Sequence, residues 1–565
     1  GVVSILAYTL FGGMWSVAIT DFIQMIILVV GLSILAVFAA DQAGGADKVV
    51  ALLTAASKMV NAGNGAALQA VMRWLRLVLL PSFNHTLAAV EPGITQPHAA
   101  RIDKAVERTV LELAGAAADF DNMRRDDPAR RRILARIHLP ISKGGLGFMS
   151  QSDAALTAYV GSRAAVLARV VGPRDKGGLD LKAPEHPAAA AAAAAAEAEE
   201  EEEGAEAPVG DAAAAAAAAP PPPFLKAYVS SAAKLKALGV SVPAWQDVWK
   251  SPHPALQSTL SLAITKHRHG ELVKEVDALD GKALGGRIAQ DKAKAAAAPE
   301  SGAWLTASPH IAPMTDVQFQ YGMRQRLQVP VSGLDRHVCK CGSRVDALGV
   351  HAHTCKFMAG WRTNRAAGQE ALVRLALKAA GPEFCTVLPG QPHVDAHADR
   401  RPGGSDSKKE VNVRADIGFI LTGQNPSGAI TLVDCTLVAT TRLSSKPIKK
   451  AGEAAAAAEL AKNQYYSRSF MPRAVGPKAV IRGFAQETEG PMGPYALSLL
   501  KQCARAMPAY GMPGQCPVGL RYRNFIERFS VLAQKSGAAA FHNYLNTFRS
   551  EERRVGKECL RLCRS

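Results

Sequence analysis

What this chain lacks narrows its reading before any motif is considered. After residue 58 there is no further apolar run of spanning length, and mean hydropathy is +0.02. That pattern excludes a polytopic membrane protein. The nine cysteines follow no regular spacing, so the disulfide framework of a small secreted module is excluded. A basic leader and a small-residue cleavage site are missing, so a secretory signal is not expected. With no initiator Met either, a fragment of a longer protein is expected. There is no hydrophobic-Asp-Asp motif of a polymerase palm. Asp126-Asp127 sits in the charged run RRDDPARR, where a buried two-metal site is implausible, so nucleotide polymerisation is excluded. Acidic residues are in deficit: 49 Asp and Glu against 66 Lys and Arg give a formal net charge of +17 and a pI near 9.5. Such a balance suits polyanions, either nucleic acid or an anionic membrane face.

The one long apolar run lies near the beginning. Residues 22–40 are apolar except for Gln24 and Ser33, and are bounded by Asp21 and Asp41. About 20 such residues cross a bilayer core, so the run reaches spanning length; a buried core helix is the alternative. Gly12-Gly13 breaks a preceding apolar stretch. Tyr8, Gly12, Gly13, Ala18, Thr20, Asp21 and Gln24 resemble the Y-x-x-x-G-G…A-x-x-T-D-x-x-Q pattern of the sodium:solute symporter family, over residues 1–58. The resemblance implies a membrane location for this segment. It implies no transport by this chain, because such sites form where several broken helices meet.

Beyond it the sequence reads as helical. Residues 71–80 form an apolar helix bearing Arg73 and Arg76 and closed by Pro81, and residues 102–116 show helical spacing. A basic cluster follows, with Arg130, Arg131 and Arg132 at its centre, suited to phosphate. The turn Gly144-Gly145-Leu146-Gly147 then leads into an Ala-rich helix. Residues 184–223 are low-complexity, poly-Ala with an acidic run and a closing PPPP, and read as a linker spacing two halves.

The sharpest chemistry is CKCGSRVDALGVHAHTC, residues 339–355. Cys339 and Cys341 on a tight turn at Gly342, with His351 and Cys355 four apart on a helical turn, are a tetrahedral zinc set. His353 is the competing ligand. Downstream, Ile417–Leu421 and residues 429–438 read as two strands around a turn at residues 424–428. They place Asp416 at the start of one strand and Asp434 inside the next. Two carboxylates on adjacent strands can hold the Mg²⁺ of a phosphodiesterase. From spacing alone, a hairpin with two incidental aspartates is the commoner reading, because Asp is frequent beside turns.

Several of these segments together resemble the region that follows the polymerase core in non-LTR retrotransposon reverse transcriptases, over about residues 71–506. The carrying residues are Leu139-Pro140 with the glycine turn, Ala158-Tyr159-Val160-Gly161-Ser162, Ala303-Trp304-Leu305, Arg324-x-Arg326-Leu327, the knuckle, and Arg362-Thr363-Asn364. Asp416 and Asp434 resemble the acids of the PD-(D/E)xK nuclease pattern in these elements. Thr436 stands where that pattern has Lys, Thr363 where it has His, and Ala415 where it has Pro. The resemblance implies a catalytic set of Asp416, Asp434, Lys462 and Tyr465, with Glu370 as a further metal contact and Arg362 and Asn364 on nucleic acid. It implies structural zinc, catalytic magnesium, and DNA or RNA as partner.

The expected architecture is multidomain and mostly α. It has one small α+β nuclease domain, one N-terminal transmembrane helix and the long linker. Its parts are a symporter-like segment (1–58), a helical region (59–183), the linker (184–223), a helical region (224–331), the knuckle (332–366), the nuclease (367–506), a C-terminal helical region (507–548) and a tail (549–565). The tail lacks apolar periodicity and resembles translated sequencing adapter, so Cys559 and Cys563 receive no role. The chain thus reads as a chimera joined near residues 58–63. It is expected in the nucleus through its retroelement half, or at a membrane through its first segment.

Overall fold

The computed structural model describes residues 65–171, 223–244, 255–355, 360–391, 393–398, 410–422, 430–441, 448–472, 480–507 and 517–562. The symporter-motif residues Gly12, Gly13, Thr20, Asp21 and Gln24, the linker up to residue 222 and the turn at 424–428 lie outside the described residues. The described chain is mostly helical, with two small sheets. Its main helices are α1 (Gly65–Trp74), α2 (Asn84–Ala89), α3 (Pro92–Leu113), α4 (Pro128–His138), α5 (Gln151–Val171), α6 (Pro223–Ala237) and α7 (Leu256–Asp277). They continue as α8 (Leu284–Ala296), α9 (Asp316–Leu327), α10 (His351–Thr354), α11 (Gly360–Ala380), α12 (Glu453–Ser469), α13 (Pro494–Ala506) and α14 (Val518–Leu562). The strands are β1 (Cys385–Val387), β2 (His393–Ala398), β3 (Glu410–Arg414), β4 (Ile417–Leu421), β5 (Ile430–Val438), β6 (Phe470–Pro472) and β7 (Val480–Glu487).

The expected transmembrane helix is corrected. Among the described residues no helix is long and apolar enough to cross a membrane, and residues 22–40, where the span was expected, lie outside them. The long helix α3 is amphipathic: Ile102, Val106 and Val110 are buried while Arg101 and Lys104 face solvent.

Two compact units divide the chain. The first comprises Gly1–Met59, Ser82–Thr109 and Ser150–Ala263; the second comprises Val60–Pro81, Val110–Met149 and Ile264–Ser565. Both therefore draw on chain from either side of the low-complexity stretch. In the first unit, Leu87, Ala99, Ala154, Ala155 and Ala158 pack α2, α3 and α5 together. The buried Asp103 carboxylate on α3 accepts from the backbone N–H of Gln151 at 2.6 Å, that of Ser152 at 3.0 Å and the Ser150 hydroxyl at 2.9 Å. It thereby satisfies donors that the first turn of α5 leaves open. A Cβ at Gly161 would collide with Gln257, so α5 and α7 approach too closely there for a side chain.

In the second unit the glycine turn becomes an anchor point. Gly144 and Gly147 both have φ of 81°, a conformation costly for residues with a Cβ. Arg326 on α9 donates from Nε to the Gly145 carbonyl at 2.8 Å and from Nη2 to the Ile141 carbonyl at 2.6 Å. Two segments far apart in sequence are thus fastened by one buried guanidinium. Trp304 and Phe319 pack edge to face beside it, with centroids 5.4 Å apart. Asp127, from the charged run, accepts from the Ala129 N–H at 2.8 Å and caps α4.

The larger sheet has the order β1-β4-β5-β7. β4 runs antiparallel to β1 and β5, while β5 and β7 are parallel, a pairing that needs a crossover, which α12 supplies. One sheet face carries Ile417, Phe419, Val433, Cys435 and Phe484, buried against Leu377 of α11, Leu500 of α13 and Phe529 of α14. The opposite face meets α12 through Ala455, Ala458 and Ala485. Side chains alternate across a strand, so Asp434, between Val433 and Cys435, is directed to the α12 side. β3, β2 and β6 form a second, antiparallel sheet.

Candidate metal knuckle and carboxylate site

The knuckle begins as a small hairpin. Val338 bridges Arg344, the Cys339 N–H donates to the Ser343 carbonyl at 2.9 Å, and the Gly342 N–H to the Cys339 carbonyl at 2.8 Å. Gly342 turns the chain at φ 82°. α10 then delivers His351, and Cys355 follows at its end, its N–H donating to the His351 carbonyl at 2.9 Å. The ligand atoms of Cys339, Cys341, His351 and Cys355 all lie within 4.8 Å of one another. The Cys339 and Cys355 sulfurs are 3.5 Å apart, and Cys341 Sγ is 3.3 Å from His351 Nε2. Bonds of about 2.3 Å at tetrahedral angles place corners about 3.8 Å apart, so the set fits one metal ion. His353 is elsewhere engaged, its Nε2 at 2.7 Å from the Tyr321 hydroxyl.

The surroundings bias His351 and Cys341 toward the forms that bind metal. Burial lowers the His351 imidazole below its ordinary pKa, favouring the neutral ring that binds metal. Burial pushes the Cys341 thiol up, but hydrogen bonds from Ser343, Cys339 and Cys355 outweigh it and bring the thiol to about 7. Asp346 accepts from the N–H groups of Leu348, Val350 and His351 at 3.0, 2.9 and 2.7 Å, fixing the start of α10. From α14, Tyr544 packs against His351 at 5.9 Å between rings and shares a buried cluster with Cys339, Cys355, Ala352 and Val345. A side chain at Gly349, whose φ is 72°, would collide with Phe541, so α14 lies directly on the knuckle.

Asp416 occupies the bend between β3 and β4, and Asp434 lies within β5. The Asp416 carboxylate accepts from the Cys435 N–H at 2.7 Å, which sets it beside Asp434. Lys462 of α12 forms an ion pair with Asp434 Oδ1 at 2.5 Å and donates to the Cys435 carbonyl at 3.3 Å. Tyr466, one turn further, donates its hydroxyl to Asp434 Oδ2. Burial raises the Asp416 carboxyl to about 6, and repulsion from Asp434 and Glu370 adds to the rise, while the Cys435 N–H and Lys462 oppose it. Burial and the bond to Asp434 also push the Tyr466 phenol well up, so it remains a donor.

The structure brings Asp416, Asp434 and Lys462 together. Tyr465 stands 56% exposed, with its ring 5.5 Å from that of Tyr466, and it is Tyr466 that meets Asp434. The missed signal was helical spacing: Lys462 and Tyr466 are four apart and share a face. Gly483 of β7 was also missed. It is the register partner of Asp434, and a Cβ there would stand 3.1 Å from the Lys462 Cβ and the Glu459 Cα. Its bare backbone lets α12 come close enough for Lys462 to reach the acid. Glu459 is buried and accepts from the N–H groups of Ala485, Tyr495 and Ala496 at 3.2, 2.9 and 3.1 Å, a cap on α13. Glu370 pairs with Arg374 at 3.0 Å, and Arg374 donates to the Asp416 carbonyl at 2.7 Å.

The expected nucleic-acid contacts have separate placements. Arg130 lies over the Phe120 ring at 4.1 Å, Arg131 pairs with Glu275 at 3.8 Å, and Arg132 lines a cavity with Arg136. Arg362 and Asn364 fall in the first two turns of α11, and their side chains lie outside the described residues.

Comparison with known proteins bears on the other end of the chain. Residues 1–93 match the family model described as the sodium:solute symporter family. The match runs past residue 58, where the resemblance read from sequence stops, and takes in α1 and α2. No curated protein matches the chain.

Proposed function

We propose that the second unit is the nucleic-acid-binding end of a retroelement protein, with a zinc-held knuckle and a Mg²⁺-dependent DNA endonuclease centre. The observation that carries this reading is the meeting of Asp416, Asp434 and Lys462 on one face of the sheet. A raised Asp416 carboxyl beside a second carboxylate is a site short of positive charge, the condition a divalent cation relieves. Each carboxylate has about four lone-pair positions, so the bonds to Cys435, Lys462 and Tyr466 leave room for a shared ion. Asp416 and Asp434 would hold it, and bound magnesium would supply a water polarised for attack on a phosphodiester. Lys462 would offset charge developing on the phosphate, and Tyr466 would fix the direction of the Asp434 carboxylate. Three thiol sulfurs and one imidazole favour zinc at the knuckle. DNA, or RNA, is the partner on this reading, and the nucleus its place of action.

The test is nicking of supercoiled DNA by the full chain with Mg²⁺. Asp434→Asn is expected to reduce the rate at least about 100-fold while leaving the melting temperature within a few degrees. Equal nicking by both proteins would leave a nucleic-acid-binding remnant with a dead nuclease. A second reading, a piece of a sodium:solute symporter joined to an unrelated C-terminal region, is favoured by the family match and concerns residues 1–93. It links the N-terminal segment to a membrane and gives the second unit no part in transport.

A further inference from the structure

We propose that a cavity of the second unit, walled by α4, α7, α8 and the segment before α12, binds one nucleotide of a nucleic-acid strand, with lysines on its phosphate and an apolar floor under its base. The inference rests on the nucleic-acid reading above and adds a contact site apart from the knuckle and the carboxylates. The cavity measures about 330 Å³, at the small end of the roughly 300–1,000 Å³ common for ligand sites. Its lining is of two kinds. Lys143, Lys294, Lys450 and Arg136 supply positive charge, against a single carboxylate, Asp277. Leu272, Val276 and Ala293 supply an apolar floor, the first two being 8% and 2% exposed.

The combination selects the ligand class. A bare phosphate has no use for the floor, and an apolar ligand has none for the lysines; a nucleotide uses both. Lys294 donates to the Ile448 carbonyl at 3.1 Å, which ties the segment bearing Lys450 to α8 and leaves two of its three ammonium donors for a ligand. Lys143 and Lys450 are exposed and able to meet a strand arriving from solvent. Arg136 is buried, bonded to the Leu327 carbonyl at 3.4 Å and the Gln328 side-chain oxygen at 3.0 Å. It also walls a second cavity of about 200 Å³ together with Arg132, so positive charge continues beyond the first. α12 links the cavity to the carboxylate site: Lys462 lies about 14 Å along that helix from Glu453, at about 1.5 Å per residue. A strand advancing about 3.4 Å per nucleotide spans that distance in roughly four steps.

The experiment is fluorescence anisotropy of a 5′-labelled single-stranded oligonucleotide titrated with full chain, without added magnesium and over a range of salt. The double variant Lys143→Gln/Lys450→Gln is expected to bind about tenfold more weakly, with a salt slope smaller by about 1.4, as for two lost phosphate contacts on a single strand. Ala293→Leu, which fills the floor, is expected to weaken binding about tenfold with the slope unchanged. Melting temperatures close to the parent's exclude unfolding as the cause. Unchanged affinity and slope in the double variant overturn the proposal, and unchanged affinity in Ala293→Leu overturns the nucleotide assignment in favour of a bare anion. Asp434→Asn, which removes nicking on the reading above, is expected to leave this binding intact, so the two readings fail in different assays.

Discussion

The knuckle and the carboxylate site solve opposite charge problems. At the knuckle, three thiols and an imidazole converge with their ligand atoms within 4.8 Å of one another, a set that could hold one metal ion. At the carboxylates, Lys462 already stands on Asp434 and Tyr466 donates to the same acid. Only Asp416 remains under-compensated. On the proposed reading, the difference teaches that metal would be a folding requirement in the first place and a chemical one in the second. Removing an ion from the knuckle should loosen structure; removing one from the carboxylates should stop a reaction and leave the fold.

The sharpest way to break that comparison is Cys355→Ser. It is expected to abolish tight metal retention and release α14 from the knuckle, seen as lost amide protection around Phe541 and Tyr544 and a fall in melting temperature of ten degrees or more, because structural zinc contributes on the order of 10 kcal/mol in small knuckles. Lys462→Met should act the other way: nicking slowed about 100-fold, with metal retention at the knuckle unchanged. Tyr466→Phe leaves Asp434 with one fewer donor and is expected to slow nicking about tenfold, whereas Tyr465→Phe leaves it within twofold; the two rates side by side check the assignment.

That contrast between neighbouring tyrosines also shows how far the sequence could be read. The knuckle was legible because all four ligands sit in one short stretch, where turn and helix geometry fix their positions without reference to the rest of the chain. The strand holding Ile417–Leu421 and the one holding Asp434 were legible as short apolar runs on either side of a cluster of turn residues. Tyr466 and Gly483 were not, because each matters only through the approach of α12 to β7, and β7 was not recognised as the parallel neighbour of β5. Arg326 illustrates the same limit. Its role is to fasten the Gly145 turn, a partner that sequence spacing gives no means of finding. The basic run at Arg130 to Arg132 shows the converse: composition marked it as a phosphate grip, and the fold gives its members an aromatic ring, a glutamate and a cavity wall as neighbours.

The smallest expected effect separates the two helix caps. Asp346 caps α10, and Glu487 caps α12 through the N–H groups of Ala454 and Ala455 at 3.0 and 3.3 Å. Burial raises the Glu487 carboxyl to about 7, opposed by the Ala455 and Ala454 N–H groups and Thr440 and helped by Glu489. A carboxyl raised on folding binds its proton more tightly in the native state. Its stabilising contribution is therefore full below about 4.5 and is lost as pH rises through about 7. Glu487→Gln keeps an acceptor for α12 and cannot ionise. It should raise the melting temperature by a few degrees at pH 8 and change it little at pH 4.5, as followed by thermal melts across that range.

The most direct measurement of the two-centre account is a Mn²⁺ titration of the purified full chain by electron paramagnetic resonance, with zinc content assayed on the same samples. The expected result is one zinc per chain that survives dialysis and one exchangeable Mn²⁺ site, the first lost in Cys355→Ser and the second lost in Asp434→Asn with zinc retained. Manganese affinity unchanged by Asp434→Asn would contradict the carboxylate centre as a metal site, and with it the proposed nuclease.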